Sequence, residues 1–331
     1  MNLRWQTHAK RLTFPRPLVT AHGEVAHREV WILVAEDNEG RQGCGELCPW
    51  PGFGSNDPMA AAAELERLLL PSEMPDSVAA IDTMVRNSGL GPELRAAIEL
   101  ATLDLLGAQT GVPVARLLAD EPRDSVPIHH LVNDAADTPL LAHAVKMKVG
   151  AHLEDDLERV RAVRARLGAD VPIRLDANGA WSVDEARTAI DRFAPLDIEF
   201  IEQPVAGGAA ALAPLRGSIP IAADESIVDD ASLEALLEAR AVDVVVLKPA
   251  FLGGLLATQR LASRAKAAGI DVVITHALGS AVERTGALHL AAALPTTRAC
   301  GLAHPFREDL AELYTIASGL AHLGDEPGLG L

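Results

Sequence analysis

Positive charge is scarce in this sequence, and lysine is its rarest form. Asp and Glu outnumber Lys and Arg by 46 to 29, giving a formal net charge of −17. Nucleic acid and anionic membrane surfaces are bound by clustered Lys and Arg, so this balance argues against both as partners. Cysteine is limited to Cys44, Cys48 and Cys300. Cys44-x-x-x-Cys48 has no nearby Cys/His pair to complete a metal site, which leaves buried free thiols. No stretch approaches the ~18 uncharged apolar residues that a membrane span requires. Met1-Asn-Leu-Arg-Trp-Gln6 holds no apolar run that could serve as a signal peptide, so a cytoplasmic protein is expected. No Gly-x-Gly-x-x-Gly follows the first strand-like segment, which removes the phosphate loop of a dinucleotide-binding sheet.

What remains is an ordinary globular composition, 49% hydrophobic over 331 residues, long enough for one large α/β domain or for two domains. The first third reads as a mixed α+β unit. A strand over 28–35, a polar turn over 36–40 and a second strand over 43–48 form a hairpin pattern. Pro49-Trp-Pro-Gly-Phe-Gly54 is a turn-rich loop. Helical spacing follows over 60–70 and 92–118.

From about position 126 short apolar runs alternate with amphipathic ones. The runs are 144–149, 172–177, 198–205, 219–223, 242–247, 271–275 and 299–303, and helical stretches cover 154–167, 183–193, 231–239, 255–268 and 281–294. A repeat of roughly 20 to 28 residues suits a strand plus crossover helix, and hence a parallel sheet. Seven such units point to a closed barrel, of class α/β. The expected division is an α+β capping domain at 1–122, a barrel carrying the active site at 123–312, and a C-terminal segment at 313–331 that packs back on the cap.

In a parallel barrel the active site forms at the C-terminal ends of the strands. The polar residues there are Lys146 and Lys148, Asp176 and Asn178, Glu202, Asp224 with Glu225, Lys248, and Thr275 with His276. Unpaired buried charge is expensive, so an ordered series of lysine, three carboxylates and lysine on successive strands calls for a function. Asp176, Glu202 and Asp224 would repel one another unless a cation lies among them. Hard oxygen ligands favour Mg²⁺, with Mn²⁺ as a substitute, and the pattern lacks the His/Cys set of zinc.

Lysine, unlike arginine, can lose its proton near neutral pH once its surroundings depress its pKa. Three of the five lysines lie in two apolar runs, Val145-Lys-Met-Lys-Val149 and Val244-Val-Val-Leu-Lys-Pro249. Lys146 and Lys148 are two apart on a strand and share a face. Each disfavours the other's charge, so both are expected below the ordinary ~10.4, and Lys148 or Lys146 becomes a general base. Lys248 approaches from the opposite side of the barrel. A substrate carboxylate on the metal would then lose its α-proton to a lysine.

Lys146-Met-Lys148, Leu175-Asp-Ala-Asn178, Ile201-Glu-Gln-Pro204, Ala223-Asp-Glu-Ser226, Leu247-Lys-Pro249 and the tail Pro327-Gly-Leu-Gly330 resemble, in order, the motifs of the enolase superfamily in its muconate-lactonising-enzyme-like branch. The resemblance covers nearly the whole chain and implies a modified TIM barrel, (β/α)7β, with an N-terminal α+β cap. It implies that Asp176, Glu202 and Asp224 bind Mg²⁺, that Lys148 abstracts the proton and Lys146 tunes it, and that Lys248 faces the other side of the substrate. Loops at 20–23 and 53–54, with Phe53, would close over a small carboxylate.

Thr275-His-Ala-Leu-Gly-Ser-Ala-Val-Glu-Arg-Thr-Gly286 and Cys300-Gly-Leu-Ala303 are similar to the o-succinylbenzoate synthases of actinobacteria. That likeness implies dehydration of a cyclohexadiene carboxylate through an enediolate in menaquinone synthesis. Asn178, Gly279 and Ser280 are the further candidate substrate contacts, and His276 is another. Racemases or epimerases of the branch would use both lysines as bases; a dipeptide epimerase would add an Asp-x-Asp that 302–310 lacks. Muconate cycloisomerases tend to be longer, and a silent binding relative would have lost a ligand or a lysine. Monomer and homo-oligomer both stay open.

Overall fold

The computed structural model describes residues 2–20, 23–50, 58–68, 70–139, 142–303 and 314–330. The chain opens with a three-stranded antiparallel sheet in the order β1 (Arg4–Thr20), β2 (Gly23–Glu36), β3 (Gln42–Leu47). Helices α1 (Pro58–Arg67), α2 (Val78–Arg86), α3 (Pro92–Thr110) and α4 (Val114–Leu118) follow.

The sheet lies flush on α3 because two glycines let the backbones meet. A Cβ on Gly45 would fall 1.9 Å from the Ala97 carbonyl oxygen, and one on Gly43 2.3 Å from that of Ala101. Helix α3 starts with Pro at its first turn and stops at Gly111, whose φ of 74° suits a residue without a side chain. The single helix expected over 92–118 is therefore two, divided at Gly111-Val112-Pro113, because proline cannot continue a helix. Strand β1 and helix α2 were absent from the sequence reading.

Strands β4 (Ser125–Pro127) and β5 (His129–Leu131) lead into the repeating part: β6 (Ala144–Lys148), α5 (Leu153–Leu167), β7 (Ile173–Asp176), α6 (Val183–Phe193), β8 (Ile198–Glu202), α7 (Ala209–Leu212), β9 (Ile221–Ala223), α8 (Asp230–Glu238), β10 (Val244–Leu247), α9 (Leu255–Ala267), β11 (Asp271–Ile274) and α10 (Ala281–Ala293). Capping boxes at Ser182/Glu185 and Asp229/Ser232 start α6 and α8 where the chain leaves its strand loops. The seven strands from β5 to β11 form one parallel sheet in sequence order. Its two edges are joined through 300–301, which bridges to Ile128 on one side and Thr275 on the other. The sheet thus curls into a barrel, as its alternation of strands and helices implied.

The barrel begins one strand earlier than the sequence reading placed it. His129-His130-Leu131 is the first strand, so Lys146 and Lys148 stand on the second and Lys248 follows the sixth. Three strands, β7, β8 and β9, still lie between them. Beyond the barrel, β12 (Thr315–Ala317) pairs with β13 (Leu320–His322), which pairs in turn with β4. The tail then returns to α3, where Asp104 accepts the Leu329 N–H at 2.6 Å.

Side chains alternate across each strand, and this positions the site. Phe200, Ala222, Val244, Val246 and Val273 form one buried cluster filling the barrel interior. Two residues further along β8, β9 and β10 come Glu202, Asp224 and Lys248 on the same face. A second connection runs from the cap to the barrel: Glu99 on α3 is buried and accepts the Leu256 N–H at 3.1 Å, at the start of α9.

Candidate active site

The strand register brings the expected residues together. Lys148 lies beside Asp176, and Asp176 beside Glu202, on adjacent strands. Glu202 pairs with Ala222, and Asp224 follows two positions on. All three carboxylates are buried, at 3%, 1% and 6% exposure, too deep to be held by water alone.

Each end of this row meets a lysine. Lys146 Nζ lies 2.8 Å from Asp176 Oδ2 and 2.7 Å from Glu202 Oε1. Lys248 Nζ donates to both oxygens of Asp224. Among the described residues no three carboxylate, imidazole or thiolate groups are gathered around a common point where an ion would sit; ammonium groups hold the row instead. The donor set still fits a hard divalent cation, since three buried carboxylates offer only oxygen. Their mutual repulsion shows in Glu202, whose pKa burial raises well above the ordinary range, with Asp176 and Asp224 adding to the rise.

The two lysines of β6 differ, which corrects the expectation that both would be depressed. Burial lowers the pKa of Lys146, but Asp176, Glu202 and Asp224 outweigh it and the net shift is upward. Lys148 moves down, through burial first and the charge of Lys146 among the further causes. A lysine bonded to two carboxylates is kept protonated, whereas its neighbour is easier to deprotonate.

Gln203 lies in Ile201-Glu-Gln-Pro204, where its residue type alone announces no role. Its Oε1 accepts the Asp224 N–H at 3.1 Å and the Ser226 hydroxyl at 2.9 Å, and its Nε2 donates to the Val205 carbonyl at 2.8 Å. One buried amide therefore fixes the ends of β8 and β9, and with them Asp224. Gln203 itself has a φ of 39°, a left-handed turn that swings its side chain under the next strand.

Asn178, with φ of 46°, donates through Nδ2 to Glu225 Oε1 at 3.0 Å, and its N–H goes to Asp176 Oδ1 at 3.1 Å. Burial, then the charge of Asp224, raises Glu225 to about 7. Ser280 is the N-cap of α10: its hydroxyl donates to Glu46 Oε2 at 2.5 Å and accepts the Val282 N–H at 3.2 Å. Gly279 is buried against Glu283, to which its N–H donates at 3.3 Å. Phe53, the loop tip at 21–22 and residues 304–310 lie outside the described residues. All three cysteines are free thiols, Cys48 and Cys300 being buried. No described helix is long and apolar enough to cross a membrane.

The sequence model described as "Enolase C-terminal domain-like" matches residues 131–331. An N-succinyl-L-Arg/Lys racemase from Bacillus cereus is 28% identical over 98% of this chain and 93% of its own length. A chloromuconate cycloisomerase from Cupriavidus pinatubonensis is 31% identical over 89% of this chain and 84% of its own. The o-succinylbenzoate synthase of Mycobacterium tuberculosis is 42% identical over 57% of this chain and 61% of its own. Among solved structures, the Bacillus cereus racemase superposes with a TM-score of 0.92 at 26% identity over 100% of this chain and 95% of its own. A dipeptide epimerase from Enterococcus faecalis, complexed with Mg and L-Leu-L-Tyr, gives 0.87 at 26% identity over 100% and 99%. The buried row of carboxylates bracketed by lysines thus sits in a chain that belongs to the enolase superfamily, in its muconate-lactonising-enzyme-like branch.

Proposed function

We propose that this enzyme is an o-succinylbenzoate synthase, dehydrating 2-succinyl-6-hydroxy-2,4-cyclohexadiene-1-carboxylate. The observation that carries the reading is the unequal pair on β6: one base, Lys148, with a lowered pKa, backed by Lys146 held on two carboxylates. A syn dehydration needs a single base. The 42% identity to the mycobacterial synthase supports the choice of substrate.

Asp176, Glu202 and Asp224 would hold Mg²⁺, whose charge would stabilise the negative charge that builds on the substrate carboxylate. Lys148, as the neutral amine, takes the α-proton. The C–H bond breaks, the carbon–hydroxyl bond next to it breaks, and a ring double bond forms. The proton returns from Lys148 to the departing hydroxide, which leaves as water. Lys248, at the far end of the row, acts as a fixed cation facing the developing anion.

A second reading, racemisation of N-succinylamino acids, is favoured by the full-length match to the Bacillus cereus racemase. It would require Lys248 to exchange protons as well. The deciding experiment incubates the Mg²⁺-loaded enzyme in D₂O with the cyclohexadiene, with N-succinyl-L-arginine and with L-Leu-L-Tyr. Rapid dehydration with little α-deuterium exchange in the other two is the expected result. Fast exchange without dehydration would assign the enzyme to the racemases.

A further inference from the structure

We propose that His276 is a substrate-binding residue that presents a neutral N–H donor to a second oxygen-bearing arm of the substrate, and that Arg28 and Glu46 of the N-terminal sheet are the positioning residues that hold it there. The proposal deepens the reading of a succinyl-bearing carboxylate substrate and rests on it.

His276 comes two residues after the end of β11. Leu247 pairs with Ile274, so Lys248 has Thr275 as its neighbour across the strands and His276 follows at the rim. The ring Nδ1 accepts the Leu278 N–H at 2.9 Å. A backbone N–H can only be accepted by an unprotonated nitrogen, so the ring proton of the neutral form is on Nε2. Burial, with the charges of Arg284, Lys248, Arg28 and Lys146 around it, keeps the ring neutral. Among the described residues Nε2 has no hydrogen-bond partner, and the residue keeps partial exposure at the rim beside Lys248.

The loop that carries this ring is fastened unusually well. Arg28 Nη1 donates to the Ala277 carbonyl, while its Nη2 donates to the carbonyls of Cys48 and Pro49 at 2.7 Å each. The guanidinium lies 4.5 Å from the centre of the Trp50 ring. Glu46 accepts the Ser280 N–H at 2.7 Å and the Glu283 N–H at 3.2 Å, in addition to the Ser280 hydroxyl. Glu283 takes the Ala277 N–H at 3.0 Å. Between these ties Leu278 sits at φ 57°, a left-handed conformation that a branched residue adopts only when its surroundings impose it. Two buried side chains of the cap therefore fix a strained loop that leaves the His276 Nε2–H without a hydrogen-bond partner among the described residues.

A neutral N–H donor recognises a carbonyl or carboxylate oxygen and gives nothing to an ammonium. A ligand with a carboxylate and a succinyl arm satisfies it; a dipeptide ammonium does not. The test measures binding of o-succinylbenzoate and of benzoate to the Mg²⁺-loaded enzyme by calorimetry. His276→Leu should weaken o-succinylbenzoate ~10- to 100-fold, the span expected for a hydrogen bond to a charged acceptor, and leave benzoate within about twofold. Arg28→Lys and Glu46→Gln should raise KM for succinyl-bearing substrates with a much smaller change in kcat.

Equal losses for both ligands, or no loss for either, would overturn the proposal, as would wild-type enzyme that binds o-succinylbenzoate no tighter than benzoate. A readout without any variant is the ¹⁵N shift of the His276 Nε2 in wild-type protein: it should move on adding o-succinylbenzoate and stay in place with benzoate. An enzyme that binds in this selective way but fails to dehydrate the cyclohexadiene removes the synthase assignment and leaves the role of His276 standing.

Discussion

Lys146 and Lys148 share one face of one strand, yet their surroundings push them in opposite directions. The first is tied to Asp176 and Glu202 and held protonated; the second is depressed by burial and by the charge of the first. Lys148→Ala should therefore lower turnover by ~10³-fold or more, with the circular dichroism spectrum and melting temperature close to wild type. Substantial residual turnover would remove Lys148 as the base.

The same pair sets a pH dependence. The base works as the free amine, so activity falls as pH drops through the depressed pKa of Lys148. Removing the neighbouring positive charge with Lys146→Met should raise that pKa and move the acidic limb of kcat/KM to higher pH. An acidic limb that stays in place, or moves down, contradicts the coupling.

Chelation probes the carboxylate row. EDTA should abolish activity and Mg²⁺ should restore it. Gln203→Leu releases Asp224 from the amide that fixes its backbone, so the Mg²⁺ concentration for half-maximal activity should rise ~10- to 100-fold, the usual effect of losing a group that orients a ligand. Indifference to EDTA would leave the row as a purely structural ion network.

Glu99 predicts a stability effect away from the site. Burial raises its pKa from 4.5 to about 8. The folded state keeps the proton that the unfolded chain releases, so the stabilisation is complete below the unfolded pKa and is lost as pH rises through about 8. The loss amounts to roughly 1 kcal/mol per pH unit inside that window. Glu99→Gln carries no such proton, and its melting temperature should fall less than that of wild type between about pH 5 and about pH 9. Parallel melting curves for the two proteins across that range would refute it.

The charged ends of the strands were legible because buried parallel strands are otherwise apolar. Asp176, Glu202, Asp224 and Lys248 each interrupt or end such a run and come together in the folded chain. The first barrel strand was not legible: His129-His130-Leu131 is short and polar, and His129 is accommodated by a contact with Arg174 at 2.9 Å, from a distant part of the chain. The long strand β1 mixes charges with Pro15 and Pro17, a composition that an edge strand tolerates and that hides it in the sequence. The unequal lysines could not be separated by spacing alone, because the difference lies in which carboxylates each one reaches. Glu46 and Ser280 are 234 residues apart, and nothing local to either announces the bond between them.

The ring of strands is completed by little more than two bridges, at Ile128 with Cys300 and at Thr275 with Gly301. That narrow stave lies across the circle from β8, in the middle of the carboxylate row. Its own side carries the end of β11 and the loop of His276. A relative that altered the stave would widen or narrow the mouth beside the substrate arm while the charged half kept its register. On the proposed reading, the carboxylate row is held by full strands and substrate shape is set beside the thinnest one, so the second could change without rebuilding the first.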